Sequence, residues 1–452
     1  VSAGIRQTGT LGQVIKKLLP QGKTTVFKAQ LRILPSVAFI SAFLNNTPVV
    51  VIFAPIIKHW AKSVKLPATK FLIPLSYVTI LGGICTLIGT STNLVVHGMI
   101  LEAGYEGFTM FELGKVGIFI AIAGIIYLFI FSKRLLPDAR PDTAVPDEEV
   151  EEGEKLHRVE AVLGARFPGI NKKLSDFNFQ RHYGAEVKEI KTRNGQRYVD
   201  HLEDVVLREG DTLVVMADDT FIPTWGESSV FVLLTNGNDP DTSGKKKRWL
   251  ALILLVLMIV GATVGELPAT KEMFPDIKLD MFFFVCITTI IMAWTNIFPA
   301  RKYTKYISWD ILITIACAFA ISKAMVNSGV ADCVAGFIIG LSDDYGPHVL
   351  LAILFVITNL FTELITNNAA AALAFPLALS ISAQLGVSPT PFFVVICMAA
   401  SASFSTPIGY QTNLIVQGIG NYKFTDFVRI GLPLNIITFL ISVILIPLIW
   451  NF

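Results

Sequence analysis

The sequence predicts an α-helical polytopic membrane protein, built from two inverted repeats and interrupted by a small α/β domain. Of its 452 residues, 53% are apolar, and the mean hydropathy of +0.60 is higher than that of soluble domains. Charged residues are concentrated in one central segment, and two polar motifs each occur twice, in the same order. The net charge of +2 gives no indication of a nucleic-acid partner.

Apolar runs long enough for membrane helices recur along the chain. They lie near residues 111–131, 249–265, 281–299, 308–325, 350–362, 391–404 and 430–450. The five cysteines lie singly within apolar segments, and the six histidines are scattered. Neither residue type has the spacing of a metal site or of a nucleophile–base pair, so an enzyme is not predicted.

The charged segment between Asp138 and Arg248 divides the chain. A block of this composition cannot be buried in lipid, so it predicts a soluble module between two membrane regions. The predicted divisions are a first repeat, an acidic linker, an α/β domain, a basic linker and a second repeat, at residues 1–136, 137–155, 156–235, 236–248 and 249–452.

Two motifs establish the repeat. "TLIGTSTNLVVHG" at residues 86–98 and "TPIGYQTNLIVQG" at residues 406–418 share eight of thirteen residues. Upstream of each, an Asn-Asn pair (Asn45–Asn46 and Asn367–Asn368) is followed by an apolar run and a proline. Two motifs in one order indicate a duplication.

"QTGTLGQVIK" at residues 7–16 also aligns with "NSGVADCVAG" at residues 327–336. The second repeat has further apolar spans before this point, and the first repeat has none. We therefore expect the native protein to contain about three more spans before Val1.

The loop that follows the first Asn-Asn pair carries Lys58, Lys62, Lys65 and Lys70 without an acidic residue. The equivalent loop of the second half, near residues 381–391, has no charge. The positive-inside rule therefore predicts that the two halves are inverted, and that residues 137–248 are cytoplasmic in a protein of the cell membrane.

Each Asn-Asn pair interrupts an apolar segment, which predicts a re-entrant hairpin with its tip at bilayer depth. The glycine- and threonine-containing motifs predict unwound breaks in two further helices. Carbonyl, hydroxyl and amide oxygens are suitable sodium ligands, and half-helix N-termini donate to anions. Because the motifs contain no Lys or Arg, bound cations would neutralise an anionic substrate. For Glu363, just before the second tip, a functional and a structural role both remain open.

These motifs resemble the divalent anion/sodium symporter family over the whole membrane portion. That family has two hairpins with Ser-Asn-Thr tips and two broken helices. The resemblance implies two sodium ions, held by Asn45, Gly89 and Asn93 and by Thr366, Asn367, Ser405, Gly409 and Asn413. It places the anion near Asn46, Thr47, Thr90, Asn368, Pro407 and Gln411, and it implies a homodimer in the lipid membrane. Aligned on its Asn-Asn pair, the first tip has Leu44 in place of the serine, which weakens the dicarboxylate pattern.

The charged module resembles the C-terminal RCK (TrkA-C) domain through "YGAEV" at residues 183–187 and "REGDTL" at residues 208–213. The resemblance implies a small regulatory ligand, which the sequence does not identify, and dimerisation. Family members with this insert usually carry two copies, and one is found here. We therefore expect that a second copy has been lost or is missing near the acidic linker.

Together, the patterns and the resemblance predict a sodium-coupled symporter of a small divalent anion that works by an elevator-type movement. Sulfate is favoured because carriers with such inserts are associated mainly with sulfate. A dicarboxylate carrier, an arsenite or sodium/proton antiporter, and a nutrient sensor that does not transport remain alternatives. The tips lack the acid that a proton antiporter needs. A channel gated by an RCK-type domain is disfavoured because no selectivity-filter loop is repeated.

Overall fold

The computed structural model describes most of the membrane region and most of the α/β domain. The described residues are 1, 4–5, 8–20, 22–138, 157–164, 166–192, 196–218, 221, 225, 230–235, 245–265, 267–273, 279–297, 307, 309–340 and 346–452. Most of the predicted acidic linker and most of the predicted basic linker lie outside these ranges.

The first half contains six described α-helices. They are α1 (Thr10–Leu18), α2 (Val26–Phe43), α3 (Asn46–Ser63), α4 (Leu72–Gly83), α5 (Ser91–Glu102) and α6 (Gly114–Leu135), with a short 3-10 turn at Ala68–Lys70. Side chains cap the hairpin helices: Thr25 accepts from the backbone of Lys28 before α2, and Asn45 accepts from Thr47 before α3. The Asn-Asn pair therefore begins a helix rather than sitting within one.

The α/β domain contains one five-stranded sheet with the strand order β3-β2-β4-β1-β5. The described elements are β1 (His157–Leu163), α7 (Phe179–Tyr183), β2 (Glu186–Lys191), β3 (Arg197–Tyr198), β4 (Thr212–Ala217) and β5 (Phe231–Thr235), with a 3-10 turn at Leu202–Asp204. All the described pairings are antiparallel. Aromatic side chains, including Phe167, Tyr183 and Phe231, form a core of its own on this sheet.

The second half contains ten described helices. They are α8 (Lys245–Gly265), α9 (Pro268–Met273), α10 (Met281–Trp294), α11 (Trp309–Asn327), α12 (Val330–Gly340), α13 (Gly346–Leu364), α14 (Asn367–Leu385), α15 (Thr390–Ser401), α16 (Gln411–Gly420) and α17 (Phe424–Ile449). Glycine ends or bends several of them. Gly329 has φ +72° between α11 and α12, and the two helices are bent by 72° at this point.

Six of the described helices are long and apolar enough to cross a membrane, or seven if α11 and α12 form one bent span. The prediction of a polytopic helical membrane protein is therefore confirmed. Helices α2, α13 and α14 are among the six, so by length alone the hairpin arms also qualify as spans.

The two halves make matching helix contacts. Helix α4 packs against α2 and α3, and α15 packs in the same way against α13 and α14. Helix α1 contacts α3 as α12 contacts α14, and Gly9 before α1 has the left-handed φ of Gly329 before α12. Across the halves, α3 contacts α16, and α14 contacts α5. These crossed contacts join each hairpin to the broken helix of the other half.

The sheet domain contacts the membrane region at the basic end of α3. Lys58 Nζ lies 3.2 Å from Glu160 Oε1 on β1, and Lys191 Nζ lies 3.5 Å from the same atom. Burial alone would raise the pKa of Glu160, but the two lysines outweigh it and lower that pKa to about 2. On α16, a methyl group added to Gly418 would lie 2.5 Å from Thr212 Oγ1 on β4. The sheet domain therefore contacts two of the helices that carry the predicted site motifs.

Candidate functional site

The site lies at four breaks in the chain, each of which separates two described helices. The breaks separate α2 from α3, α13 from α14, α4 from α5 and α15 from α16. Each break contains one of the predicted motifs, so their positions agree with the sequence prediction. The second helix of each pair begins at the break, at Asn46, Asn367, Ser91 and Gln411 respectively.

The two hairpin tips have the same internal hydrogen bond. Ser41 Oγ donates to Asn46 Oδ1 at 2.7 Å, and Thr362 Oγ1 donates to Asn367 Oδ1 at 3.2 Å. Each bond links residues five apart and fixes the first residue of the second arm. Asn46 is therefore the counterpart of Asn367.

This register differs by one residue from the alignment of the two Asn-Asn pairs. The caps before the second arms are Asn45 and Thr366, and the residues after the shared asparagine are Thr47 and Asn368. The first tip therefore reads Asn-Asn-Thr, with Leu44 outside it, and the second reads Thr-Asn-Asn. Pairing the asparagines by identity is wrong because the bonds from Ser41 and Thr362, not residue type, set the position.

Matching hydrogen bonds also hold the two helix breaks. Asn93 Nδ2 donates to Thr86 O at 2.9 Å, and Asn413 Nδ2 donates to Thr406 O at 3.2 Å. Each asparagine, in the first turn after a break, thus holds the carbonyl of the threonine that begins its motif. The repeated asparagine and threonine are explained by this bond, which keeps the unwound backbone in one shape.

Two glycines of the motifs allow close backbone approach. A Cβ on Gly89 would lie 2.5 Å from Gly83 O, and a Cβ on Gly409 would lie 2.2 Å from Thr362 O. A Cβ on Gly83 would itself lie 2.6 Å from Asn46 Oδ1. Side chains larger than hydrogen are excluded here, so each tip packs directly on the backbone of its break.

Side chains of one half contact the break of the other half. Thr47 Oγ1 lies 3.3 Å from Gln411 Oε1, at the start of α16. In the reciprocal position, Asn368 Oδ1 accepts from Ser91 Oγ at 3.3 Å and from Thr92 Oγ1 at 3.4 Å. The structure therefore brings together most of the residues predicted to bind the anion. Pro407 lies in the same break and is buried.

Tyr410, in the second break, contacts the first tip and the first break, and it was not among the predicted ligands. Its hydroxyl accepts from Asn46 Nδ2 and lies 3.0 Å from Thr90 Oγ1. Tyr410 is 8% exposed. The two broken motifs differ most at Tyr410 and its neighbour Gln411, and this difference predicts that substrate choice is decided there.

The oxygen atoms at the breaks suit a hard cation. Asn93 is fully buried, and its Oδ1 has no hydrogen-bond partner. Asn413 Oδ1, by contrast, accepts from Ser76 Oγ at 2.7 Å. Within the described residues, no group of three His, Cys, Asp or Glu side chains is placed to hold a metal ion. Neutral oxygens favour an alkali cation over a transition metal.

A polar cluster of Glu363, Asn435 and Ser405 adjoins the second break, and of the three only Ser405 was predicted as a ligand. The Glu363 carboxylate accepts from the backbone N–H of Ser405 at 2.8 Å and from Asn435 Nδ2 at 2.7 Å. Asn435 Nδ2 also donates to Ser405 Oγ at 2.9 Å. Ser405, a predicted cation ligand, is thereby joined to α17.

These features define a multi-pass membrane protein of the transporter class, with interrupted helices meeting at one site. The family model for citrate transporters (CitMHS) matches residues 1–379 and again residues 273–452. The chain therefore belongs to the CitMHS citrate transporter family.

Relatives agree with this assignment. An uncharacterized transporter from Synechocystis is 29% identical over 100% of this chain and 87% of its own length. A putative sulfur deprivation response regulator from Chlamydomonas reinhardtii is 28% identical over 98% of this chain and 90% of its own length. Probable sodium/sulfate cotransporter 3 from the same alga is 32% identical over 62% of this chain and 31% of its own length.

Proposed function

We propose that the protein is a sodium-coupled symporter of a small divalent anion, with sulfate as the favoured substrate. The observation that carries this proposal is the start of four helices, at Asn46, Ser91, Asn367 and Gln411, around one set of contacting side chains. The N-terminus of a helix carries free N–H groups and a partial positive charge, so a group of four favours an anion.

The anion is proposed to bind between the tips, near Asn46, Thr47, Thr90, Asn368, Pro407 and Gln411. Hydroxyl, amide and backbone donors supply its hydrogen bonds. Sulfate is favoured over a dicarboxylate because two of the relatives carry sulfur or sulfate in their names.

Sodium is proposed as the co-transported ion. The first ion would bind at Asn45, Gly89 and Asn93, and the unpartnered Oδ1 of Asn93 supports this position. The second would bind at Thr366, Asn367, Ser405, Gly409 and Asn413. With bound cations supplying the charge that the donors lack, anion and sodium would move together.

The matching contacts of the two halves support a pair of inverted repeats with re-entrant hairpins. Helices α3, α5, α14 and α16 contact one another across the halves, and we assign them to one body that moves in an elevator-type cycle. The sheet domain contacts this body at the basic end of α3 and at α16, and the basic end agrees with a cytoplasmic position in a cell-membrane protein. We assign it as a TrkA-C-like regulatory domain that takes a small ligand, in a homodimer.

The test is uptake of labelled sulfate, succinate and arsenite into proteoliposomes, with an inward sodium gradient or with potassium in its place. We expect sulfate uptake that requires the sodium gradient, and little uptake of the other two. Sodium-driven succinate uptake without sulfate uptake would make the protein a dicarboxylate carrier. Sodium-independent flux would refute the coupling.

A further inference from the structure

Glu363 is an acidic residue of the hairpin arm α13, one turn before the second tip. Its carboxylate has three donors: the backbone N–H of Ser405, Asn435 Nδ2 and, at 3.4 Å, Ser403 Oγ. All three are neutral. Neutral donors satisfy the oxygens of a carboxylate but do not cancel its negative charge.

No lysine, arginine or histidine among the described residues forms an ion pair with Glu363. A carboxylate at the depth of the hairpin tips is costly unless a positive charge lies beside it. Among the described residues no side chain supplies this positive charge, which leaves it to a bound cation.

Oxygen atoms suited to a cation lie beside this carboxylate. Asn435 is 6% exposed, and its Oδ1 is buried without a hydrogen-bond partner. Ser405 Oγ lies 2.9 Å from the amide nitrogen of the same residue. The amide turns its nitrogen towards the carboxylate and the hydroxyl, and a half-turn of the amide would bring Oδ1 to the same place. Carboxylate, amide and hydroxyl oxygens would then form a ligand set for a sodium ion.

The corresponding contact between the tip and the break in the first half lacks the carboxylate, amide and hydroxyl groups. Thr86 Oγ1 donates to Ala42 O, as Thr406 Oγ1 donates to Glu363 O at 3.0 Å. Ala42 is therefore the counterpart of Glu363.

Glycines on the next helices extend the correspondence. A Cβ on Gly117 of α6 would meet Ile84 O at 2.7 Å, and one on Gly431 of α17 would meet Phe404 O. By this register Cys85 replaces Ser405, and Ala121 replaces Asn435. The first half builds its junction with two alanines and a cysteine, so the carboxylate is not required to hold a hairpin against a break.

We propose that Glu363, Asn435 and Ser405 form an anionic cation site at the second break, so that the two sodium positions are not equivalent. This rests on the proposed function and deepens it. The second position would bind sodium before the anion arrives and without it, because Glu363 supplies the opposing charge. The first position has only neutral ligands and would fill together with the anion.

The experiment measures sodium binding rather than transport. Thermal unfolding of the purified full chain is followed as sodium chloride replaces choline chloride, with sulfate absent. A ligand that binds only the native state raises the midpoint by mass action. We expect a saturable rise for the wild type, and at least about a tenfold loss of sodium affinity in Glu363→Gln.

Two further variants separate charge from structure. Asp332→Asn removes an exposed carboxylate of the same half that accepts from Ser380, and it should leave the sodium response unchanged. Glu363→Gln combined with Asn435→Asp returns one carboxylate to the cluster and should recover much of the lost affinity. If Glu363 had only a structural role, the double variant would not recover sodium affinity.

The outcomes are distinguishable. Wild-type affinity in Glu363→Gln overturns the proposal, as does a double variant that folds but remains as weak as Glu363→Gln. A wild-type sodium response that appears only when sulfate is present also overturns it, while leaving the symport function intact. A protein that takes up sulfate without any sodium requirement would instead refute the proposed function.

Discussion

The two hairpin–break junctions share their framework and differ in the groups that they present. Both place an asparagine at the start of the second arm, and both hold the break by an asparagine-to-threonine bond. The framework is repeated because backbone geometry permits few alternatives. Side chains that do not hold the backbone can differ between the halves. The first half has Thr90 and Ala42 where the second half has Tyr410 and Glu363. Under the proposed function, the shared framework sets where ions bind, and the unmatched residues set which ions bind.

The largest effect is expected from a methyl group in the framework. Gly409→Ala and Gly89→Ala would place Cβ 2.2 Å and 2.5 Å from backbone oxygens that cannot retreat, so sodium-dependent uptake should be abolished in both. Gly98→Ala is the matched control, because a Cβ there meets no atom within 4 Å. Uptake that survives in either motif variant would show that the breaks are not closely packed during transport.

The second-largest effect on uptake is expected at Asn93, whose Oδ1 has no hydrogen-bond partner. Asn93→Ala removes the Oδ1 atom and should raise the sodium concentration for half-maximal uptake by about tenfold, equivalent to about 1.4 kcal/mol. Asn93→Asp keeps an oxygen but loses the donor to Thr86, so it should retain more sodium affinity than the alanine variant. Equal sodium dependence in Asn93→Ala and wild type would remove this residue from the cation site.

A smaller effect is expected where the halves differ in the anion region. Tyr410→Phe loses the hydroxyl that joins Asn46 and Thr90 but keeps the ring. Loss of these bonds should raise the KM for sulfate by about three- to tenfold, since one hydrogen bond contributes roughly 1 kcal/mol. The sodium dependence should change less. Sulfate uptake curves at fixed sodium measure the KM for sulfate separately from the sodium dependence. An unchanged KM would place Tyr410 outside the substrate path.

The smallest effect lies at the contact between the sheet domain and α3. The pKa of Glu160 is lowered from 4.5 to about 2, so its ionised form favours the folded, docked state. This contribution is complete above about pH 4.5 and is lost as the pH falls towards 2. Pepsin digestion across this range should release the sheet domain progressively in the wild type. In Glu160→Gln the release of the sheet domain should not depend on pH in this way. The same pH dependence in the variant and the wild type would show that other groups cause the release.

Much of the site was predictable because it is duplicated. Single motifs such as Ile-Gly-Thr carry little information, but their recurrence located all four breaks. The register of the tips was not predictable, because it depends on the bonds from Ser41 and Thr362 rather than on residue identity. Glu363 and Asn435 lie 72 residues apart in sequence and meet only through the packing of α13 against α17. Tyr410 was not predicted as a ligand because it differs between the repeats, although this difference at Tyr410 and Gln411 indicated where substrate choice is decided.

Sodium-dependent binding of labelled sulfate to the purified protein tests the central claim most directly. The wild type should bind sulfate in sodium and lose that binding when choline replaces it. Asn45→Ala and Asn367→Ala, one at each tip, should each weaken the binding by about tenfold or more, since each removes a proposed sodium ligand. Sulfate binding that is equal in sodium and choline, or that survives both substitutions unchanged, would contradict the account.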